Sequence, residues 1–356
     1  MAADARLTIV LALRGRPLFT QRWLDYAQAV SLPFKVFLAD GSDDKDASFV
    51  RDLLQEKARF LNLDVEYARY PFDAAYSDYY AKMADALKQT RTPFTALVDN
   101  DDFPVARGLE RMTTFLESHP DHSACGGRMA EVNVESPDRL SGGRVVLSPG
   151  HPQRDLDEPS ARARVESLFA RYQTSYYDVH RTAFMKDCFA SLNKAAPADV
   201  FLAELWTALL AAAAGPVKKL PDVFLVRQRN TPGTTADGEA KKGDCLDRML
   251  LPTWSKDFSA FTDTIARAIV ARDGGSVEES RSAVTRGYRT YASPSWAAAL
   301  TAKSPARNGT AYAALRSVYR GLKALAPVRP LSPAACGAEN IAGLESILRF
   351  LAAKAG

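Results

Sequence analysis

Three carboxylates crowd into the short segment Asp99-Asn100-Asp101-Asp102, directly after the apolar run Phe94–Val98. Like charges this close repel one another unless a cation or several hydrogen-bond donors offset them. Hard oxygen ligands of this kind suit Mg²⁺ or Mn²⁺, which take one or two carboxylates and complete their shells with water and phosphate oxygens. The plainer alternative is an acidic turn in which one Asp caps the next helix. A cap accounts for one Asp and not for three, so the expectation is a metal–diphosphate site with Asp99, Asp101 and Asp102 as ligands.

The elements that must position this cluster follow from the hydrophobic pattern. Leu7–Leu13 is too continuously apolar for a strand wet on one face and reads as a buried strand. Helical spacing over Phe19–Val30 leads to a second strand, Phe34–Ala39, which stops at Asp40-Gly41-Ser42-Asp43-Asp44, strong turn chemistry. A helix over Ser48–Leu61, a strand at Asp64–Arg69, a helix capped by Ser77 and running to Gln89, and the strand Phe94–Val98 follow in order. Pro104 is placed as the first residue of a helix that runs to Ser118. Strand and helix alternating over short connections predicts an α/β fold with a mostly parallel sheet flanked by helices, and such sheets bind ligands beyond the carboxyl ends of their strands. Both acidic loops fall at those ends.

The remainder is less regular. Ser136–Arg164, rich in Pro, Gly, Arg and Asp, reads as a long mobile loop, and Thr174–Val179 as a strand. Asp199–Ala214 is a helix stopped by Gly215-Pro216, followed by strands at Val217–Leu220 and Val223–Val226. The polar, glycine-bearing stretch Asn230–Gly243 marks a boundary or lid, which divides the chain into a catalytic domain, 1–243, and a helical C-terminal region, 244–356, with helices at Phe258–Val270 and Tyr312–Leu325.

Composition narrows the function classes. The chain has 356 residues, a net charge of +4 and 47% hydrophobic residues, the mix of a folded globular protein. Its basic residues are scattered, with no basic stripe interleaved with aromatics, so nucleic-acid binding is not expected. Four cysteines lie far apart with no CxxC pair, which excludes zinc-finger and redox motifs and suits isolated buried thiols in a reducing cytoplasm. No apolar run is long enough to span a bilayer and no signal segment opens the chain, so the expected location is cytoplasmic, with docking at the inner face of the membrane left open.

Three landmarks in order, Leu7–Pro17, the strand ending in Ala39-Asp40-Gly41-Ser42, and Thr95–Phe103, resemble the GT-A glycosyltransferases, particularly bacterial family 2-like members. The resemblance covers residues 7–130 well and extends weakly to about residue 230. It implies a Rossmann-like GT-A core that transfers a sugar from a nucleotide-sugar, UDP-sugar favoured, to a carbohydrate or lipid-linked acceptor, with Mn²⁺ or Mg²⁺ bridging the diphosphate. By position it implies that Asp40 contacts the nucleotide base, that Asp99 contacts ribose or metal, and that Asp101, helped by Asp102, holds the metal. It brings Arg14 and Lys82 toward the donor, while Tyr79 and Tyr80 stack on a base or pack. Arg227 and Arg229 are candidates to clamp the diphosphate.

If the anomeric centre is inverted, the family places the base about a hundred positions after the aspartate motif, often as Glu-Asp. Here Ala198-Asp199 stands at that place, so Asp199 is the first candidate and doubles as a helix N-cap, with Glu204 the alternative. His180 is read as a satisfied structural histidine. Two rivals remain: a sugar nucleotidyltransferase, which the single glycine of Arg14-Gly15-Arg16-Pro17 disfavours, and a non-catalytic nucleotide-sugar-binding module, kept open by the altered Glu-Asp position. A role in bacterial surface polysaccharide synthesis rests on the resemblance alone.

Overall fold

The computed structural model of the protein describes residues 4–136, 138–232, 245–302 and 341–353. Strands β1 (Asp4–Leu13), β2 (Phe34–Asp40), β3 (Asp64–Arg69) and β4 (Phe94–Leu97) pair in parallel in the order β3-β2-β1-β4. Helices α1 (Pro17–Ala29), α2 (Asp44–Gln55) and α3 (Tyr76–Gln89) connect them. The apolar run of β1 has a simple cause. Leu7, Ile9, Leu11 and Leu13 pack on one face with Trp23 and Phe34, whereas Val10 packs on the other with Phe37 and Leu97. With period-two alternation and cores on both faces, Leu7–Leu13 is apolar on both sides except at Thr8, whose hydroxyl is bonded to that of Thr92 at 2.8 Å.

Past β4 the sheet becomes mixed. The short β8 (Val179–Arg181) lies antiparallel to both β4 and β6 (Ala124–Glu135), and β9 (Val217–Gln228) runs parallel to β6. The outer half of β6 pairs with β7 (Arg144–Pro149), and β5 (Asp102–Pro104) closes the far edge on β9. Strands β1, β2, β3, β4, β6 and β9 point one way and β5, β7 and β8 the other. The α/β architecture expected from sequence is present.

Helices α4 (Ala106–Ser118), α5 (Ala161–Ala170), α6 (Thr182–Ala195) and α7 (Val200–Ala214) complete the core layers. The C-terminal helices α8 (Cys245–Met249), α9 (Trp254–Asp273) and α10 (Val277–Ala302) follow. Phe261, Ile265 and Ile269 of α9 and Val284 and Tyr288 of α10 join Phe169 and Trp206 in one hydrophobic cluster. Helix α11 (Ile341–Ala352) buries Leu344, Ile347 and Leu351 against Tyr26, Phe103 and Val132. The boundary drawn between 243 and 244, the helix read at Tyr312–Leu325 and most of Asn230–Gly243 lie outside the described residues.

Several local readings change. Pro104 is the last residue of edge strand β5, where its missing N–H costs no ladder bond, and α4 starts two residues later. Helix α3 begins before Ser77, and its entry is held by the Asp78 carboxylate, which accepts from the Ala75 amide at 2.9 Å. The segment read as a mobile loop contains β7 and the first turn of α5. Thr174–Asp178 is loop and turn, and the chain becomes strand only at Val179. The two short strands after Gly215 are one strand with irregular pairing near Asp222. Neither β6 nor α6 was anticipated. In β6 the pair Gly126-Gly127 hid the pattern; a Cβ at Gly126 would lie 1.9 Å from the Asp178 carboxylate, so the close approach demands glycine.

His180 is fully buried in β8, stacked on Phe184, and its Nε2–H donates to the Ser175 carbonyl at 2.7 Å. Burial depresses its pKa to about 4. The folded state therefore favours the neutral ring, and the unfolded chain binds more protons between the ordinary histidine value and about 4. Stability contributed here is intact at neutral pH and is lost as pH falls through that window. We expect denaturant midpoints of the wild type to fall more steeply between pH 7 and pH 4 than those of His180→Gln, by up to about 3 kcal/mol at ~1.4 kcal/mol per pKa unit.

Candidate functional site

The acidic motif is the turn between β4 and β5, closed by the Asp102 amide donating to the Asp99 carbonyl at 3.1 Å. Its side chains diverge to separate partners. Asp99 accepts from the Tyr177 hydroxyl at 2.9 Å, and Asp101 is paired with Arg16 Nη1 at 3.1 Å. Asp102 is fully committed: one oxygen accepts from Arg227 Nε at 2.9 Å and the other from the Gln228 amide at 3.2 Å. Burial raises the pKa of Asp99, and the Asp101 charge adds to the rise. Burial likewise pushes Asp102 up to about 8, with Asp101 and Asp99 adding and Arg227 opposing.

Arg16 was not singled out from sequence, and it is the residue that reaches the motif from the first loop. It adopts φ 56°, a left-handed conformation uncommon for a residue with a Cβ, next to Gly15 at φ 68° and directly before Pro17. Its guanidinium also donates to Asn100 Oδ1 at 2.7 Å, and Asn100 Nδ2 donates to Thr20 Oγ1 at 3.0 Å. Asn100, between the acids, therefore ties the motif to α1. Arg14, the residue chosen from sequence, is exposed at the same mouth, 5.7 Å from the centroid of the Phe72 ring.

A second unanticipated cation lies behind the cluster. Arg22 is buried between the rings of Phe19 and Phe103, at 4.7 and 4.9 Å, and donates to Leu140 O and Gln228 Oε1. Burial lowers its pKa to about 10 while Asp101 and Asp102 resist the fall. Only its place in an otherwise apolar helical stripe, beside Trp23 and Tyr26, marked it in the sequence. Arg227 stacks over the Tyr177 ring at 4.3 Å. Burial opposes its charge, but Tyr177, Asp102 and Asp99 outweigh it and raise the pKa. Arg229 is more exposed and lies 3.7 Å from Glu131.

The donor set for a divalent cation can be judged from this chemistry. Asp99 and Asp101 are neighbouring hard-oxygen donors whose mutual repulsion a cation relieves, and Asp101 already holds a positive group in the Arg16 guanidinium. These two fit. Asp102 instead orients Arg227 and accepts from the Gln228 amide. Among the described residues no group of three His, Cys, Asp or Glu side chains is placed to hold a metal ion together.

Asp40, at the end of β2, is fully buried; it accepts from the Ser42 amide and the Tyr67 hydroxyl, each at 2.8 Å, and shapes the Gly41-Ser42 turn. Lys82 is neither solvated nor open to ligand. It is buried against the Asp73 carboxylate and donates to Leu13 O at 2.9 Å. A Cβ at Gly41 would lie 2.3 Å from that same carboxylate, so Lys82, Asp73 and Gly41 lock the β3–α3 loop onto the ends of β1 and β2.

The two candidate bases separate in space. Asp199 caps α7 by accepting from the Phe201 amide at 3.0 Å and pairs with Arg248 of α8 at 2.7 Å. Glu204, partly exposed one turn on, accepts from the Tyr172 hydroxyl at 2.9 Å. The loop before β8 supplies Tyr172, Tyr176 and Tyr177, and the buried Asp178–Lys219 pair at 2.6 Å anchors it to β9. Tyr176 is bonded to Tyr79 of α3; burial raises its pKa well above the usual phenol value, and the charges of Asp99 and Glu204 both add to the rise. Glu204 and Asp99 therefore flank one tyrosine cluster. Tyr80 is buried packing.

The fold is that of the GT-A-type glycosyltransferases. The chain is similar in structure to residues 1–349 of S. aureus TarS solved with UDP-GlcNAc, at 16% identity over 84% of this chain and 76% of that one, TM-score 0.50. A further similar structure is the mannosyltransferase PcManGT from Pyrobaculum calidifontis in complex with GDP-Man and Mn²⁺, at 15% identity over 98% and 88% of the two chains, TM-score 0.44. No family profile matches the sequence, and no curated protein does.

Removing one partner of the Lys82–Asp73 pair leaves the other charge buried and unpaired. Lys82→Met should cost about 3 kcal/mol in chemical denaturation, and Asp73→Asn with Lys82→Met should recover part of that loss.

Proposed function

We propose that the protein is a glycosyltransferase that moves a sugar from a nucleotide-sugar, UDP-sugar favoured, to a carbohydrate or lipid-linked acceptor, with inversion at the anomeric carbon. The observation that carries this reading is the acidic pair Asp99 and Asp101 at the end of β4, with Asp99 and Glu204 each bonded to a tyrosine of the loop before β8, on a GT-A-type fold. The donor diphosphate would lie between the first loop and Arg227, where Arg227 and Arg16 place positive charge. When bound, Mg²⁺ or Mn²⁺ on Asp99 and Asp101 would supply further positive charge toward the leaving diphosphate.

Glu204 serves as the base. The acceptor hydroxyl attacks the anomeric carbon, its proton passes to the Glu204 carboxylate, and the bond to the nucleoside diphosphate breaks with its electron pair leaving on the phosphate oxygen. Tyr172 orients that carboxylate. Asp199 suits the role less well, since its oxygen Oδ1 already takes the helix cap and the Arg248 pair. A lipid-linked acceptor would bring the enzyme to the inner face of a membrane. Surface polysaccharide synthesis is the setting we favour for it.

Calorimetric titration with UDP should show binding that strengthens at least tenfold with Mn²⁺ and loses that gain in Asp101→Ala. Silence of UDP, GDP and CMP alike would sink the reading. With the UDP-sugar that binds, Glu204→Gln should keep donor affinity within threefold while sugar transfer to a panel of saccharide acceptors, followed as UDP release, falls ~10²-fold or more. Retention of transfer by Glu204→Gln would remove its role as base.

A further inference from the structure

The sequence candidate left without a part in this chemistry, Asp199, lines a cavity of about 270 Å³ together with Phe201, Leu205, Arg248, Tyr288 and Tyr291. The cavity lies where the first turn of α7 meets α8 and α10. Its size is at the lower end for small-molecule pockets, ~300 Å³, enough for one ring and not for an extended chain.

Three features describe its ligand. The first is the buried Asp199–Arg248 ion pair, with side chains 6% and 7% exposed. Both bonds that Asp199 accepts fall on Oδ1, so Oδ2 keeps its capacity for a hydroxyl donor. A buried ion pair is costly beside an apolar ligand and favourable beside one rich in hydroxyl groups. The second is a rigid aromatic wall. Phe201 is 44% exposed, yet its ring is held against the Arg248 guanidinium, 4.3 Å from the ring centroid, and Tyr288 packs on Trp254 and Phe258. Phe201, exposed and immobilised in this way, presents a ring face to apolar C–H surfaces. The third is position. The Tyr291 ring lies 5.4 Å from Tyr172, whose hydroxyl donates to Glu204.

We propose that this cavity is a subsite for a saccharide ring of the acceptor, stacked on Phe201 and Tyr291 and hydrogen-bonded through Asp199 and Arg248. The inference rests on the glycosyltransferase reading only for the word acceptor; the pocket's preference for a sugar ring stands on its own walls. Asp199 and Arg248 are here positioning residues for substrate, and Glu204 alone receives the proton.

The test is saturation-transfer NMR with a panel of methyl glycosides (glucoside, galactoside, mannoside and N-acetylglucosaminide), run beside UDP titration on the same samples. At least one glycoside should bind at millimolar concentration. Tyr291→Ala and Phe201→Ala should each weaken it at least fivefold, Tyr291→Phe should stay within twofold, and UDP affinity should not move in any of them. Because Asp199 also caps α7, Asp199→Asn is read only alongside melting curves that match the wild type. Absence of glycoside binding to wild type, or binding unchanged in both alanine variants, overturns the proposal even where UDP binds. So does binding only of long-chain alkyl glycosides with affinity that follows chain length and ignores the sugar. Glycoside binding with UDP silent would leave the subsite standing and remove the glycosyltransferase reading instead.

Discussion

The constraint on which the rest of the structure depends is electrostatic. At the carboxyl edge of its sheet the protein buries many aspartates, and a buried carboxylate is tolerated only when a cation or several donors accompany it. Five of them meet a cation: Asp101 has Arg16, Asp102 has Arg227, Asp73 has Lys82, Asp178 has Lys219 and Asp199 has Arg248, while Asp40 has the Ser42 amide and the Tyr67 hydroxyl and Asp99 the Tyr177 hydroxyl. These pairs join segments far apart in the chain, so they also decide how the loops over the sheet are arranged. Loss of either partner would leave a charge in a low dielectric, and the loops are therefore held more firmly than surface loops usually are.

The same pairs divide the edge into parts with different chemistry. Asp102, bonded to Arg227 and the Gln228 amide, and Asp73, paired with Lys82, act as scaffolding. Asp99 and Asp101 are the strained remainder, two neighbouring carboxylates that repel each other at a buried strand end, and so the ones suited to gain from a divalent cation. The left-handed Arg16 beside them is consistent with energy stored where a ligand is to be received. A belt of tyrosines from the loop before β8 then carries the edge from the acidic motif to Glu204, and aromatic packing continues through Tyr291 into the C-terminal helices. Helices α9 and α10 share the hydrophobic cluster of α5 and α7, which includes Leu202, Leu205 and Tyr288 of the cavity wall.

What was readable in the chain, and what was not, follows physical lines. The first half, with its long apolar runs and helical spacings, was legible because each element there is dictated locally: a strand covered on both faces is largely apolar, as Ile9–Leu13 is, and acidic turns follow strand ends. Strand β6 was illegible because its glycines answer to the approach of Asp178 and the backbone at Asp222, partners distant in sequence. Strand β7 was illegible because its apolar content is modest and its pairing with β6 supplies the order. Pro104 looked like a helix start; only the edge position of β5 makes it a strand residue.

For the site, residue types and spacing alone determined that an acidic cluster follows a buried strand, that Asp40 ends another, and that Asp199 and Glu204 stand at the start of one helix. Composition cannot say which carboxylates remain available, because availability depends on which cation each one meets, and those meetings span up to 125 residues. The tertiary structure alone decided that Asp102 meets Arg227, that Lys82 is buried with Asp73, that Arg16 rather than Arg14 reaches the motif, and that Asp199 meets Arg248 while Glu204 meets Tyr172. Hydrophobic periodicity is a local property and survives in the sequence; charge compensation is a pairwise, long-range one, and exists only once the chain has folded.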